Sequence, residues 1–286
     1  MERVNRVPRI AAYKATGGRR PLTMVTAYDA PTSRAADHGG VDMILVGDSV
    51  ANAVLGYEST LSIGIDEMVH HTAAVCRIHP EALVIADLPW LSYHQGWRRA
   101  VRSAGKLIKA GAKAVKLEGG RDRQEVIEAL LKAEIPVMGH LGLTPQSVNA
   151  FGGMVVQAKT IEAAGALLEE ARALVGFGVF AMVLEGVPSP LAEVITKAVP
   201  IPTIGIGAGA GCDGQVLVFH DLVGFSSGHV PKFVKPYGSV ALEAEQAIAA
   251  YVKEVTEGVF PDPDHSYSGA DGLEEWAAGM LVELGG

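Results

Sequence analysis

Asp48, Asp87, Lys116, Glu118, His140 and Glu185 all follow short apolar runs. Met43-Ile44-Leu45-Val46-Gly47 stops at Asp48, Leu83-Val84-Ile85-Ala86 stops at Asp87, and Ala114-Val115 leads into Lys116-Leu117-Glu118. Val137-Met138-Gly139 stops at His140, and Ala181-Met182-Val183-Leu184 stops at Glu185. Carboxylates brought close together are costly unless protons or a cation compensate. Oxygen donors with no cysteine nearby suit a hard ion, Mg2+ rather than zinc. Asp48, Asp87 and Glu118 are therefore candidate metal ligands; capping a helix or pairing on the surface is the alternative for each. Lys116 lies two residues before Glu118, so on a strand both side chains share a face. An ammonium there neutralises a substrate carboxylate, forms a Schiff base if desolvated, or only pairs with the acids, and a metal cluster favours the first role. Glu185, flanked by Val183, Leu184 and Val187, is expected in apolar surroundings that raise its pKa, which suits a general base for carbon acids. Its alternative is a helix cap ahead of Pro188. His140, in a Gly-His-Leu-Gly turn, either donates to a developing enolate oxygen or is structural.

These residues must be positioned by strands. Eight strand candidates are legible: Leu22 to Ala27, Met43 to Gly47, Leu83 to Ala86, Ala114 to Leu117, Val137 to Gly139, Phe180 to Leu184, Thr203 to Ile206 and Val216 to Phe219. Helix-like stretches lie between most of them: Thr32 to His38, Asp66 to Arg77 with Asp66 as its cap, Trp97 to Ala110, Arg123 to Ala133, Ile161 to Val175 and Pro190 to Ala198. Apolar strands alternating with helices predict an α/β fold, a single-domain (β/α)8 TIM barrel, with the C-terminal strand ends gathered on one face as the active site. Neighbouring strands lie ~5 Å apart, so the acids of the second, third and fourth would crowd together. Residues 1–260 are assigned to the barrel with an N-terminal helix, and 261–286 to a tail with a short helix near Leu273 to Leu284. Residues 207–215 are too few for a full helix, so the last two strands are joined tightly. The glycine-containing stretch from Leu141 to Lys159 reads as a functional loop over the barrel mouth.

Composition bounds the partners. A net charge of -8 argues against nucleic acid and against an anionic membrane surface. No apolar stretch approaches the ~20 residues that span a bilayer. Cys76 and Cys212 have no metal or redox spacing, which points to a reducing cytoplasm. Arg3, Arg6, Arg9, Lys14, Arg19 and Arg20 raise the thought of a transit peptide, but serine is absent there and Glu2 present, so a solvated first helix around Ile10 to Lys14 is expected. The string Gly205-Ile206-Gly207-Ala208-Gly209-Ala210-Gly211 does not open a βαβ unit and is not read as a dinucleotide motif. It is either an anion site after the seventh strand or a tight turn that lets another group approach. His70, His71 and His79 lack a His-Glu-x-x-His pattern and are read as core or surface residues.

Read as strings, the same residues closely resemble the ketopantoate hydroxymethyltransferase family. The matching strings include Met24-Val25-Thr26-Ala27-Tyr28-Asp29, Val46-Gly47-Asp48-Ser49, Ala86-Asp87-Leu88-Pro89 and Val115-Lys116-Leu117-Glu118-Gly119-Gly120. Gly139-His140-Leu141-Gly142-Leu143-Thr144-Pro145-Gln146-Ser147, Phe151-Gly152-Gly153 and Pro231-Lys232-Phe233 continue the series. The resemblance implies a barrel of the phosphoenolpyruvate mutase/isocitrate lyase-like type, one Mg2+ per subunit, and a large homo-oligomer, commonly a decamer. It implies hydroxymethyl transfer from 5,10-methylenetetrahydrofolate to 3-methyl-2-oxobutanoate, giving 2-dehydropantoate on the way to pantothenate and coenzyme A. By the same resemblance Asp48, Asp87 and Glu118 are the metal site and Glu185 the proton acceptor. Ser49, Lys116 and His140, with Asp48 and Asp87, are the substrate contacts. Gly186 and Ala210-Gly211-Cys212 depart from the family pattern without touching that metal site. Two rivals are a Mg2+-dependent C–C lyase or mutase of a 2-oxo or 2-hydroxy acid and a non-catalytic keto-acid-binding barrel. The lyases carry a Lys-Lys-Cys-Gly-His-like loop that is absent from this sequence.

Overall fold

A computed structural model describes residues 3–18, 20–153, 155–226 and 230–285. Eight parallel strands close into a barrel in sequence order. They are β1 Leu22–Thr26, β2 Met43–Val46, β3 Leu83–Asp87, β4 Ala114–Lys116, β5 Val137–Gly142, β6 Ala181–Glu185, β7 Thr203–Ile206 and β8 Gly214–Leu217. Helices Ala30–His38, Ile65–Cys76, Trp97–Lys109, Gln124–Lys132, Ile161–Phe177 and Ser189–Ala198 follow β1 to β6 on the outside. No helix joins β7 to β8, as the short connection requires.

Side-chain alternation along each strand builds two cores. Met24, Met43, Leu45, Ile85, Met138, Val183 and Val216 point inward and fill the barrel. Val25, Ile44, Val46, Val84, Ala86, Val115 and Leu184 point outward under the helices. Both faces of the sheet are thus buried, which is why β2 and β3 read as unbroken apolar runs. Fully burying one such side chain contributes about 1.5–3 kcal/mol. The inward phase then continues past the apolar layers. Thr26, Asp87, Lys116, His140 and Glu185 each stand two residues beyond an inward-pointing core residue and so form the top layer of the barrel interior.

Three expectations are corrected. The eighth strand starts at Gly214 rather than Val216, because Gly214 pairs with Leu22 at a point where a Cβ would lie 2.6 Å from the Leu22 carbonyl oxygen. An apolar-run reading has no signal for such a glycine. Asp66 does not cap the helix Ile65–Cys76. Glu67 accepts from the Gly64 N–H at 2.9 Å, while Asp66 pairs with Lys106 at 2.8 Å. The N-terminal helix, Val7–Ala11, is not simply solvated: Ile10 is 0% exposed and belongs with Tyr13 to the core inside the barrel. The basic residues around it clamp this plug. Arg20 pairs with Asp42 at 2.6 Å, Lys14 with Asp213 at 3.1 Å and Arg3 with Asp37 at 2.7 Å. Asp42 also accepts from the N–H groups of Val4 and Thr23. Burial opposes ionisation of Asp42, but Arg20 and these backbone donors outweigh it and hold the carboxyl below its usual range.

The stretch after β5 is partly ordered into a 3-10 turn Pro145–Ser147 and a short helix Val148–Phe151, with Met154 outside the described residues. The chain divides into two compact units, one ending at Gly238 and one starting at Ser239. The second holds helices Val240–Thr256 and Leu273–Glu283, neither with a buried residue. The expected boundary at 260/261 falls within it. No described helix is long and apolar enough to cross a membrane.

Candidate active site

One cavity of about 390 Å3 at the C-terminal ends of the strands is lined by Asp48, Ser49, Asp87, Lys116, Glu118, His140 and Glu185. Every site residue expected from the sequence therefore reaches the same space. Parallel register brings some of them side by side: Asp87 is the direct partner of Lys116 across β3 and β4, and Glu185 is level with Gly142 across β5 and β6.

The contacts form a continuous chain. Lys116 Nζ lies 2.9 Å from Asp87 Oδ1 and 3.3 Å from His140 Nδ1. His140 Nδ1 faces Glu118 Oε1 at 3.4 Å, and its Nε2 faces Glu185 Oε2 at 3.3 Å. The Asp48 N–H donates to Asp87 Oδ2 at 3.1 Å. On the inward side a Cβ on Gly47 would lie 2.7 Å from Ser49 Oγ, so glycine is needed for this turn to close. Ser49 Oγ is held in turn by Tyr28 OH at 2.8 Å.

Two polar residues that sequence reasoning missed organise the acids. Gln146 donates through Nε2 to Asp48 Oδ2 at 2.8 Å and through its backbone N–H to Glu118 Oε2 at 3.0 Å. The Tyr93 hydroxyl donates to Gln146 Oε1 at 2.7 Å and accepts from the Glu118 N–H. Gln146 stood in the Thr-Pro-Gln-Ser string, which was its only signal. Tyr93 had none, because its role depends on a loop folding back across β4.

Electrostatics separate the roles. Burial, then the charges of Asp87 and Glu118, push the Asp48 carboxyl well above its usual range. Burial also raises Asp87, with Lys116 working against the shift. For Lys116 burial opposes the charge, yet Asp87, Glu118 and Asp48 together raise its pKa, so it is a fixed ammonium. A Schiff base needs a neutral amine, which the ion pair with Asp87 disfavours. Burial and Lys116 both disfavour a charged His140, but Glu118 and Glu185 overcome them and raise it to about 9. Glu118 and Glu185 thus favour the charged form of His140. Glu185 keeps its apolar flanks, Val183 and Val187, but its carboxylate faces the His140 ring rather than a purely apolar wall.

Among the described residues no three His, Cys, Asp or Glu side chains stand in ready-made ligand geometry. Lys116 and Gln146 hold part of the oxygen set. The donor chemistry nevertheless fits a divalent ion. Asp48, Asp87 and Glu118 line the cavity beside a single lysine, so carboxylate oxygens outnumber the fixed cation there. A divalent cation would offset that excess, and the donors are hard oxygens.

The glycine string after β7 is a close-packing turn. A Cβ on Gly209 would lie 2.1 Å from Ser189 Oγ, and one on Gly211 2.8 Å from Glu193 Cβ. His71 Nδ1 contacts the Tyr28 carbonyl at 2.7 Å, a supporting position below the site.

Fold and site together define a closed eight-stranded parallel barrel with an acid-rich mouth. Among solved structures, 2,3-dimethylmalate lyase, a PEP mutase/isocitrate lyase superfamily member, matches with a TM-score of 0.57 at 15% identity, covering 100% of this chain and 97% of that one. The sequence profile of ketopantoate hydroxymethyltransferase matches residues 5–263. The 3-methyl-2-oxobutanoate hydroxymethyltransferase of Syntrophobacter fumaroxidans is 52% identical over 266 residues, 93% of each chain. That of Moorella thermoacetica is 54% identical over 262 residues, 91% of this chain and 97% of the relative. The chain belongs to the ketopantoate hydroxymethyltransferase family.

Proposed function

We propose that this protein transfers a hydroxymethyl group from 5,10-methylenetetrahydrofolate to 3-methyl-2-oxobutanoate, forming 2-dehydropantoate for pantothenate and coenzyme A synthesis. Beyond the family, one observation carries the reading: Glu185, His140 and the cation Lys116 share a cavity with the carboxyl groups of Asp48 and Asp87. Such a site can take a proton from carbon while stabilising the charge left behind.

Asp48 and Asp87, with Glu118, would hold one Mg2+ per subunit, and Gln146 orients two of these acids. When bound, the ion supplies Lewis acidity toward the keto and carboxylate oxygens of the substrate. Lys116 binds the substrate carboxylate, and Ser49, oriented by Tyr28, adds a hydroxyl contact. Glu185 accepts the C3 proton, leaving the electron pair of that bond on the substrate as an enolate. His140 holds Glu185 and offsets negative charge as it develops. The enolate carbon bonds to the methylene carbon of the folate as one of its two C–N bonds breaks, water replaces the other nitrogen and supplies the hydroxyl, and the C3 proton and one proton of that water end on the nitrogens of the released tetrahydrofolate. Pro145, in the segment that follows β5, lines the cavity and limits the access of water there.

The setting is the cytoplasm, in keeping with two free cysteines. The protein acts as a homo-oligomer, a decamer, supported by the apolar side chains Leu242, Ile248, Tyr251 and Val252 exposed on the helix Val240–Thr256. Light scattering that returned a monomer would remove that part. The activity itself is tested by incubating the protein with 3-methyl-2-oxobutanoate, 5,10-methylenetetrahydrofolate and Mg2+. Ketopantoate should form and should stop forming with EDTA; no folate-dependent product with Mg2+ present refutes the assignment.

A further inference from the structure

The cavity extends beyond the residues that serve the keto acid. Asp221, Phe225 and Phe233 also line it, and the proton transfer at C3 uses none of them. The two phenylalanines are 46% and 41% exposed, yet both are held in place. Phe225 stacks on His220 with ring centroids 5.8 Å apart and planes at 25°, and His220 lies 5.7 Å from the ring of Tyr28, which holds Ser49. Phe233 lies against Gly207, where a Cβ would come within 2.8 Å of its ring and where φ is +62°. Only glycine both fits this backbone and leaves the ring its place. Asp221 accepts from Ser226 Oγ at 2.5 Å through Oδ1, and no lysine or arginine among the described residues pairs with it.

A carboxylate is acceptor-only. 3-Methyl-2-oxobutanoate presents a carboxylate, a keto oxygen and an isopropyl group, so it has no donor to offer Asp221. The other reactant does. A pterin ring carries an N–H and an amino group side by side, a donor pair that a carboxylate accepts well, and two flat faces that suit aromatic contact.

We propose that Asp221, Phe225 and Phe233 form the pterin subsite for the folate co-substrate, with Asp221 accepting from the ring N3–H and 2-amino group and the phenylalanines covering the ring. This rests on the transfer reaction proposed above. It places the one-carbon donor on the β7–β8 side of the mouth, where Phe233 meets the end of β7.

The test is steady-state kinetics of the full-length, Mg2+-supplied enzyme as wild type, Asp221→Asn, Asp221→Glu and Phe225→Leu, varying each substrate in turn. Loss of a charge-assisted hydrogen-bond pair should raise KM for 5,10-methylenetetrahydrofolate about tenfold or more in Asp221→Asn. KM for 3-methyl-2-oxobutanoate should move much less, and Asp221→Glu should recover part of the loss. Phe225→Leu should shift the folate KM in the same direction. A folate KM at the wild-type value in Asp221→Asn overturns the subsite, as does a parallel rise of both KM values, which marks a structural role at the mouth. Wild-type enzyme that transfers no one-carbon unit refutes the reaction and the subsite with it. Wild-type transfer with unaltered variants refutes the subsite alone.

Discussion

Glu185→Gln isolates the base. Glutamine has nearly the shape of glutamate, and its amide oxygen can keep the 3.3 Å contact with His140 Nε2, so the barrel should fold normally. What is lost is a proton acceptor and one of the two carboxylates that hold His140 at about 9, so the pKa of His140 also falls. A positioned general base contributes about 10²- to 10⁴-fold, which is about 3–5.5 kcal/mol of barrier. The assay is loss of the C3 proton signal of 3-methyl-2-oxobutanoate in D2O with Mg2+ and no folate, followed by NMR. Exchange should slow about 10²-fold or more. Mg2+ affinity by titration calorimetry should hold, because Asp48 and Asp87 keep their own partners, Gln146 and Lys116. Exchange at the wild-type rate would show that another group takes the proton. Loss of Mg2+ binding in the same variant would show that Glu185 belongs to the metal set instead.

Asp48→Ala and Asp87→Ala should each weaken Mg2+ binding, and Gln146→Ala should weaken it about 10–100-fold as an outer-shell change; unchanged calorimetric affinity in both Asp variants moves the metal elsewhere. Asp42→Asn removes the charge facing Arg20 and turns one of the two oxygens that accept from Arg20, Val4 and Thr23 into a donor, which should cost about 1–3 kcal/mol in urea unfolding. Because the folded carboxyl of Asp42 lies below its unfolded value, its contribution is complete above about pH 3.9 and is lost as pH falls through the folded pKa. The gap in stability between wild type and Asp42→Asn should therefore narrow in strongly acidic buffer, and a gap that stays constant contradicts the linkage.

Much of the barrel was legible because a parallel sheet buried on both faces leaves unbroken apolar runs, as in Met43–Val46 and in residues 83–86. The polar residue that ends each run was legible for the same reason. Gly214 was not, since a residue chosen for close approach to another strand carries no hydrophobic signal. Nor was the plug: Ile10 lies within a basic, polar stretch, and its burial depends on Asp37, Asp42 and Asp213 receiving the charges around it.

At the site, the identities of the acids, Lys116 and His140, and their place at strand ends, were properties of the sequence alone. The alternation of a strand carries them inward wherever the barrel closes. Their chemical states were decided by the tertiary structure. Lys116 is a fixed cation because closure sets it against Asp87 and near Glu118 and Asp48. His140, whose role the sequence left open, has its pKa raised because β5 places it between acids that follow β4 and end β6. Gln146 and Tyr93 join the site only through loops that fold back over it. Residue type and period are local, whereas charge state and hydrogen-bond partnership depend on which distant groups are brought within a few ångströms out of water.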